Sequence, residues 1–156
     1  MRGSLILPLL VAVLGWALVA VLGSLATDIG PWYRSLVKPS WQPPDWVFGP
    51  VWTTIFVLCA VSAALAWRSA ADAARPMVVT LFVVNGVLNV LWSVLFFYLK
   101  RPFLAGLEII VLWASIAVLI WYVGQHSRVA AMLLLPYLLW VSFATLLTWT
   151  IVHLNP

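Results

Sequence analysis

A chain of 156 residues that is 65% hydrophobic and only 8% charged, with a mean hydropathy of +1.12, is not a soluble domain, because such domains carry ~25% charged residues. It reads as an integral membrane protein. Eight Lys and Arg against four acids give a net charge of +4, a small excess that suits anionic lipid headgroups beside membrane ends and calls for no nucleic acid.

Five apolar runs follow one another, at 5–26, 46–67, 77–99, 103–123 and 129–152. Each is close to the ~20 residues that cross ~30 Å of hydrocarbon as a helix. Strands of a membrane barrel would be ~10 residues long and alternate in polarity, and nothing here alternates. The expected fold is an all-α bundle of five transmembrane helices in a single domain over 1–156, with a long structured first loop. The first run has the small residues Gly23, Ser24 and Ala26 near its end, like a cleavage site, but it exceeds the 7–15 apolar residues of a signal peptide. It is taken as a helix.

Between Trp32 and Trp52 the chain reads WYRSLVKPSWQPPDWVFGPVW. Pro31, Pro39, Pro43 and Pro44 restrict this backbone without allowing a continuous helix, so the connection from Thr27 to Asp45 is expected to form a rigid cap over one bundle end. Cys59, the one cysteine, lies in the middle of the second run, which rules out an intrachain disulfide or thiolate cluster. In the third run Asn85, Asn89, Trp92 and Phe96 share one helical face. That stripe serves either interhelical hydrogen bonding or a ligand. Lys100-Arg101-Pro102 and Gly124–Arg128 are short connections that make the later helices antiparallel neighbours.

Glu108 stands about five residues into the fourth run, ~8 Å below the interface by helical rise. A polar side chain at that depth is costly; it snorkels outward, bonds to a neighbouring helix or faces a ligand. In the fifth run Pro136, Trp140, Ala144 and Thr148 recur at every fourth position, which builds either a pocket wall or a close helix contact. Trp46, Trp67 and Trp121 near the ends of runs belong to the interfacial belt. Trp52, Trp92 and Trp140 lie deeper and need another reason.

Several functions are disfavoured. Four basic residues fall at each end of the bundle, with Arg2, Arg68, Arg75 and Arg128 opposite Arg34, Lys38, Lys100 and Arg101, so charge bias sets no orientation. No inverted repeat of the transporter kind is visible. His126 and His153 flank the fifth run and stand ~40 Å apart, too far to ligate one haem. No glycine-rich phosphate loop, HExxH or GxSxG occurs, and no metal site is expected.

Three segments carry a resemblance: WYRSLVKPSWQPPDWVFGPVW, then LNVLWSVLFF at Leu88–Phe97, then PYLLWVSFATLLTWTIVHLNP at Pro136–Pro156. In order and spacing they resemble the TspO/MBR family, that of the translocator protein, the peripheral-type benzodiazepine receptor and the bacterial tryptophan-rich sensory protein. The resemblance implies a five-helix bundle, commonly a homodimer, whose intrahelical cavity is closed by the first long loop. It also implies flat, greasy ligands: porphyrins such as protoporphyrin IX, sterols in animal members, and synthetic isoquinoline carboxamides and benzodiazepines. Porphyrin enters as a ligand; no cofactor is required.

Carried over by motif, Tyr33, Trp41 and Pro43 of the loop and Trp52 and Phe56 of the second helix are expected to form one side of the site. Asn89 and Trp92 face them from the third, Glu108 matches a position where the family tends to carry an acid, and Trp140 with Ala144 closes the cavity from the fifth. Some bacterial members degrade bound porphyrin in light, and Trp52 and Trp140 occupy the positions linked to that photochemistry. Departures exist. Trp149 and His153 stand where the cholesterol-recognition segment expects a tyrosine and a basic residue, Asn85 replaces a common glutamine, Val94 a proline, and Thr148 an asparagine. The reading favoured is a membrane receptor or sensor for porphyrins, in contact with lipid and in a bacterial membrane; a light-dependent porphyrin-degrading enzyme and a tetrapyrrole or sterol transporter are the alternatives.

Overall fold

With no water inside a bilayer, each backbone N–H and C=O must be bonded within its own segment, which leaves the helix as the form for runs this apolar. The computed structural model describes residues 4–156 and shows that outcome five times over. Helix α1 spans Ile6–Ala26, α3 Asp45–Ser69, α4 Arg75–Ser93 and α5 Pro102–Gly124, while α6, Arg128–Leu133, and α7, Leu135–Leu154, together make the fifth span. A one-turn helix α2, Pro31–Ser35, interrupts the first connection. No strand occurs among the described residues.

Two spans depart from simple helices. The fifth is divided at Leu134, just before Pro136, whose missing N–H cannot continue the α6 hydrogen-bond ladder. The third passes from α-helix into a π-helical turn at Val94–Tyr98, so the helix changes geometry at Val94 with no proline there. That turn closes through the Leu99 N–H on the Val94 carbonyl at 2.8 Å and the Arg101 N–H on the Leu95 carbonyl at 2.9 Å. Between them Lys100 adopts a positive φ of 55°, a left-handed conformation that glycine takes without steric cost. Prolines at the first turns of α2, α4, α5 and α7 sit where no N–H partner is available.

The core runs along α5. Ile109, Leu112, Ile116, Leu119 and Val123 are all buried, at the spacing of one helical face, and α5 lies against α4, α6 and α7. Small residues let the α3 backbone come close on the other side: Cys59, Ala60, Ala64 and Ala66 are buried. Gly106 does the same for α5, since a Cβ there would stand 3.1 Å from the Trp149 ring. Helix α1 is peripheral; among its residues Trp16 and Ala26 are buried, and it leans on α3 and α4. Hydroxyls turn inward onto their own helices, with Thr53, Thr54, Thr80, Ser142, Thr145 and Thr150 each donating to the carbonyl four residues back.

The first loop is tied to the far end of the chain. Asn155 accepts the Val37 N–H on Oδ1 and donates Nδ2 to the Val37 carbonyl, both at 2.9 Å. Lys38 Nζ donates to the Tyr33 carbonyl at 2.6 Å and rests 4.2 Å from the Tyr33 ring centroid. Arg34, Lys38, Lys100 and Arg101 therefore gather at the loop end and Arg68, Arg75 and Arg128 at the other; Arg2 lies outside the described residues.

Two outcomes follow. Asn155→Ala removes both bonds to Val37 and is expected to cost about 1 kcal/mol while opening the 36–44 segment to limited proteolysis in detergent. Lys100→Gly relieves the left-handed strain and is expected to raise stability by about 1 kcal/mol, read as a higher melting temperature.

Candidate ligand cavity

The aromatic side chains that hydropathy alone would leave among lipid tails converge on one internal space. A cavity of about 450 Å³ lies between the spans, walled by α1, α3, α4, α5 and α7 and by residues of the first loop. Trp52 and Phe56, one turn apart on α3, stand 5.5 Å apart by ring centroid. Trp140 of α7 meets Trp52 edge-on at 6.4 Å and Phe48 at 5.6 Å. From the opposite side Trp92 stacks on Phe96 at 5.2 Å and meets Phe97 at 5.8 Å. Edge-to-face and offset contacts of this kind are the favourable aromatic geometries.

Polar groups are few and unevenly satisfied. Asn89 donates Nδ2 to the Tyr137 hydroxyl at 2.9 Å. Asn85, one turn earlier, donates to Ser115 Oγ at 2.9 Å and lies outside the wall. The stripe therefore divides: Asn85 joins α4 to α5, and Asn89 reaches the cavity. The indole N–H groups of Trp92 and Trp140 are buried with no hydrogen-bond partner, although a buried donor without an acceptor is uncommon and costly. Both rings belong to the cavity wall.

At the loop end the wall is polar. The Tyr33 hydroxyl donates to Asp45 Oδ1 and accepts from Gln42 Nε2, each at 3.0 Å, and the Gln42 Oε1 is left buried and unpaired. Burial, then the hydrogen bond and negative charge of Asp45, push the Tyr33 phenol up to about 12.

Seven of the ten residues expected at the site stand in this wall: Tyr33, Trp52, Phe56, Asn89, Trp92, Trp140 and Ala144. Trp41 is 44% exposed and packs its ring on Phe143 at 5.8 Å. Pro43 is half-buried outside the wall. Glu108 neither snorkels nor bonds to a neighbour; it is 8% exposed, off the wall, and neither carboxylate oxygen has a partner among the described residues.

The TspO/MBR family model matches residues 6–154. The chain belongs to the TspO/MBR family. It is 40% identical to the tryptophan-rich protein TspO of Chlorobaculum tepidum over 126 residues, 80% of each chain. To the tryptophan-rich protein TspO of Archaeoglobus fulgidus it is 37% identical over 152 residues, covering 96% of this chain and 98% of that one. The human translocator protein is 36% identical over 124 residues, 77% of this chain and 72% of its own. As a TspO/MBR protein with five apolar spans, the chain is a multi-pass membrane protein, with bacterial and archaeal proteins among its relatives.

Within this TspO/MBR chain the structure also places wall residues that motif reading passed over. Ala20, Gly23 and Ser24 bring α1 to the cavity, and Gln42, Asp45 and Phe48 line it near the loop. Ala20 and Ser24, four residues apart on one helical face, would equally suit close helix packing; what separates the two uses is the space beside them, and a Cβ on Gly23 would meet nothing closer than Ser93 Oγ at 3.9 Å. Trp149, at the departure from the cholesterol-recognition pattern, is engaged by Phe103 at 5.8 Å and by Gly106. Thr148 is buried and on the wall.

Because the folded Tyr33 value lies above the ordinary 10.0, its contribution is fully present below pH 10 and is lost as pH climbs toward about 12. An ultraviolet titration of wild type minus Tyr33→Phe is expected to show one phenol ionising near the upper value.

Proposed function

We propose that this protein is a membrane receptor of sensor type that binds porphyrins, protoporphyrin IX among them, and related flat hydrophobic molecules in the cavity, with the 27–45 loop as its cap. The observation that carries this reading is the pairing of unsatisfied indole donors on Trp92 and Trp140 with an otherwise aromatic wall. A volume of about 450 Å³ falls in the ~300–1,000 Å³ range of small-molecule sites. A flat ring system gains burial and edge or face contact with Trp52, Trp92 and Trp140, and acceptor atoms on it satisfy two donors that the protein leaves open. Walls drawn from all five spans favour capture over passage.

A second reading rests on one further distance. Trp52 and Trp140 stand 6.4 Å apart and both face the cavity, so a photoexcited porphyrin there would have two oxidisable indoles in reach, with dioxygen as the terminal oxidant for its degradation. Loss of bound porphyrin in light that persists unchanged in Trp52→Phe and Trp140→Phe would exclude that role for them.

The test is quenching of intrinsic tryptophan fluorescence by protoporphyrin IX in darkness. Saturable quenching is expected. Trp140→Phe removes one donor and is expected to raise Kd about tenfold, equivalent to ~1.4 kcal/mol; Asn89→Ala, which removes a polar side chain of the wall and its bond to Tyr137, is expected to weaken binding by a smaller factor. Absence of saturation would end the porphyrin reading.

A further inference from the structure

Trp140 belongs to two surfaces at once. Its ring is part of the cavity wall, and it also forms the floor of a groove on the outside of the bundle, between Pro50, Val51 and Thr54 of α3 and Pro136, Leu139 and Phe143 of α7. That groove opens toward lipid: Leu139 is 72% exposed within an apolar span, and the Thr54 hydroxyl is turned onto the Pro50 carbonyl at 2.8 Å, which leaves no free polar group from it.

The seam beside the groove is closed by side chains. Helix α3 packs its backbone against α1, α4 and α6, and α7 packs against α5, so the α3 and α7 backbones make at most marginal contact with each other. Trp140 fills the interval by touching Phe48 at 5.6 Å, Trp52 at 6.4 Å and Phe143 at 5.4 Å. No hydrogen bond holds its indole. Turning that ring breaks ring contacts alone and leaves every backbone bond of both helices intact. At the loop end, by contrast, Tyr33, Gln42 and Asp45 are hydrogen-bonded to one another, and Asn155 clamps Val37.

We infer that the α3–α7 seam is a lateral portal, with Trp140 and Phe143 as its shutter, through which an uncharged aromatic molecule dissolved in the bilayer reaches the cavity without leaving lipid. The inference concerns the route, so it does not depend on the ligand being a porphyrin. It gives the outer groove a purpose: a molecule lying there faces Trp140, whose ring also lines the cavity.

The test places a thiol in the cavity. Ala144→Cys, in a Cys59→Ser background and in phosphatidylcholine vesicles, is labelled by pyrene maleimide dissolved in the same bilayer. Phe143 lines the groove and not the cavity, but it also meets Trp41 of the loop at 5.8 Å, so Phe143→Ala is expected to raise the labelling rate several-fold while Trp41→Ala leaves it unchanged, with Phe143→Leu giving an intermediate rate if the alanine variant fails to fold. Leu139→Trp, which adds a ring to the groove, is expected to lower it. Asn155→Ala, which loosens the loop, is expected to leave it unchanged. Acceleration by the Phe143 substitution together with no effect of Trp41→Ala or Asn155→Ala supports the portal; any other pattern, including faster labelling on loosening the loop, overturns it. Porphyrin titration of the same vesicles reads the proposed ligand separately.

Discussion

The lack of water in the bilayer core governs everything else in this molecule. It forces the five spans into helices, turns six threonine and serine hydroxyls back onto carbonyls of their own helices, and pairs Asn85 with Ser115 and Asn89 with Tyr137. Against that background, a buried polar atom with nothing to bond stands out. Within the spans these are the Asn85 carbonyl, the indoles of Trp92 and Trp140, and the carboxylate of Glu108. Two of the four groups face the cavity.

Packing divides the bundle into a dense half and an open half. Away from the loop the side chains of Ile116, Leu119 and Val123 on α5 are wholly buried, and Cys59, Ala60, Ala64 and Ala66 on α3 draw neighbours close. Toward the loop the same helices carry large rings that hold the spans apart, Trp52 and Phe48 on α3, Trp92 and Phe96 from the third span, Trp140 on α7. Space between helices therefore follows residue size: alanine and cysteine of α3 sit where helices meet, and around the cavity large rings hold the spans apart while Ala20, Gly23 and Ala144 leave room beside them. The tight half fixes the helix positions that the open half needs, since a ring wall without a rigid base would collapse on itself.

Much of this was legible in the residues. Span count and limits follow from hydropathy because a run long enough to cross hydrocarbon has few other fates. The break at Leu134 carried a visible signal in Pro136, yet a proline near a helix start is as compatible with continuation of the span as with its division. The π turn at Val94 carried none, since it depends on how α4 meets α5 and the Arg101 N–H. In the cavity, the deep tryptophans and Asn89 were legible through depth and helical face. Trp41, Pro43 and Glu108 stood outside the wall for separate reasons: Trp41 is drawn off by Phe143, Pro43 shapes the loop backbone, and Glu108 sits on α5 beside the wall residue Ile109 but turned from the cavity. Motif position names a residue's neighbourhood; which way its side chain turns is settled by partners from distant parts of the chain.

The clasp between Asn155 and Val37 joins residues 118 positions apart. A membrane protein is threaded into the bilayer from its N-terminal end, so the loop between the first two long helices waits through the insertion of three more spans before its fastening is made. The cavity wall is consequently completed late, after its α1, α3 and α4 faces are already in the bilayer. Until residue 155 arrives, the loop lacks one of its anchors, and before α7 enters the bilayer the cavity stands without its Trp140 wall.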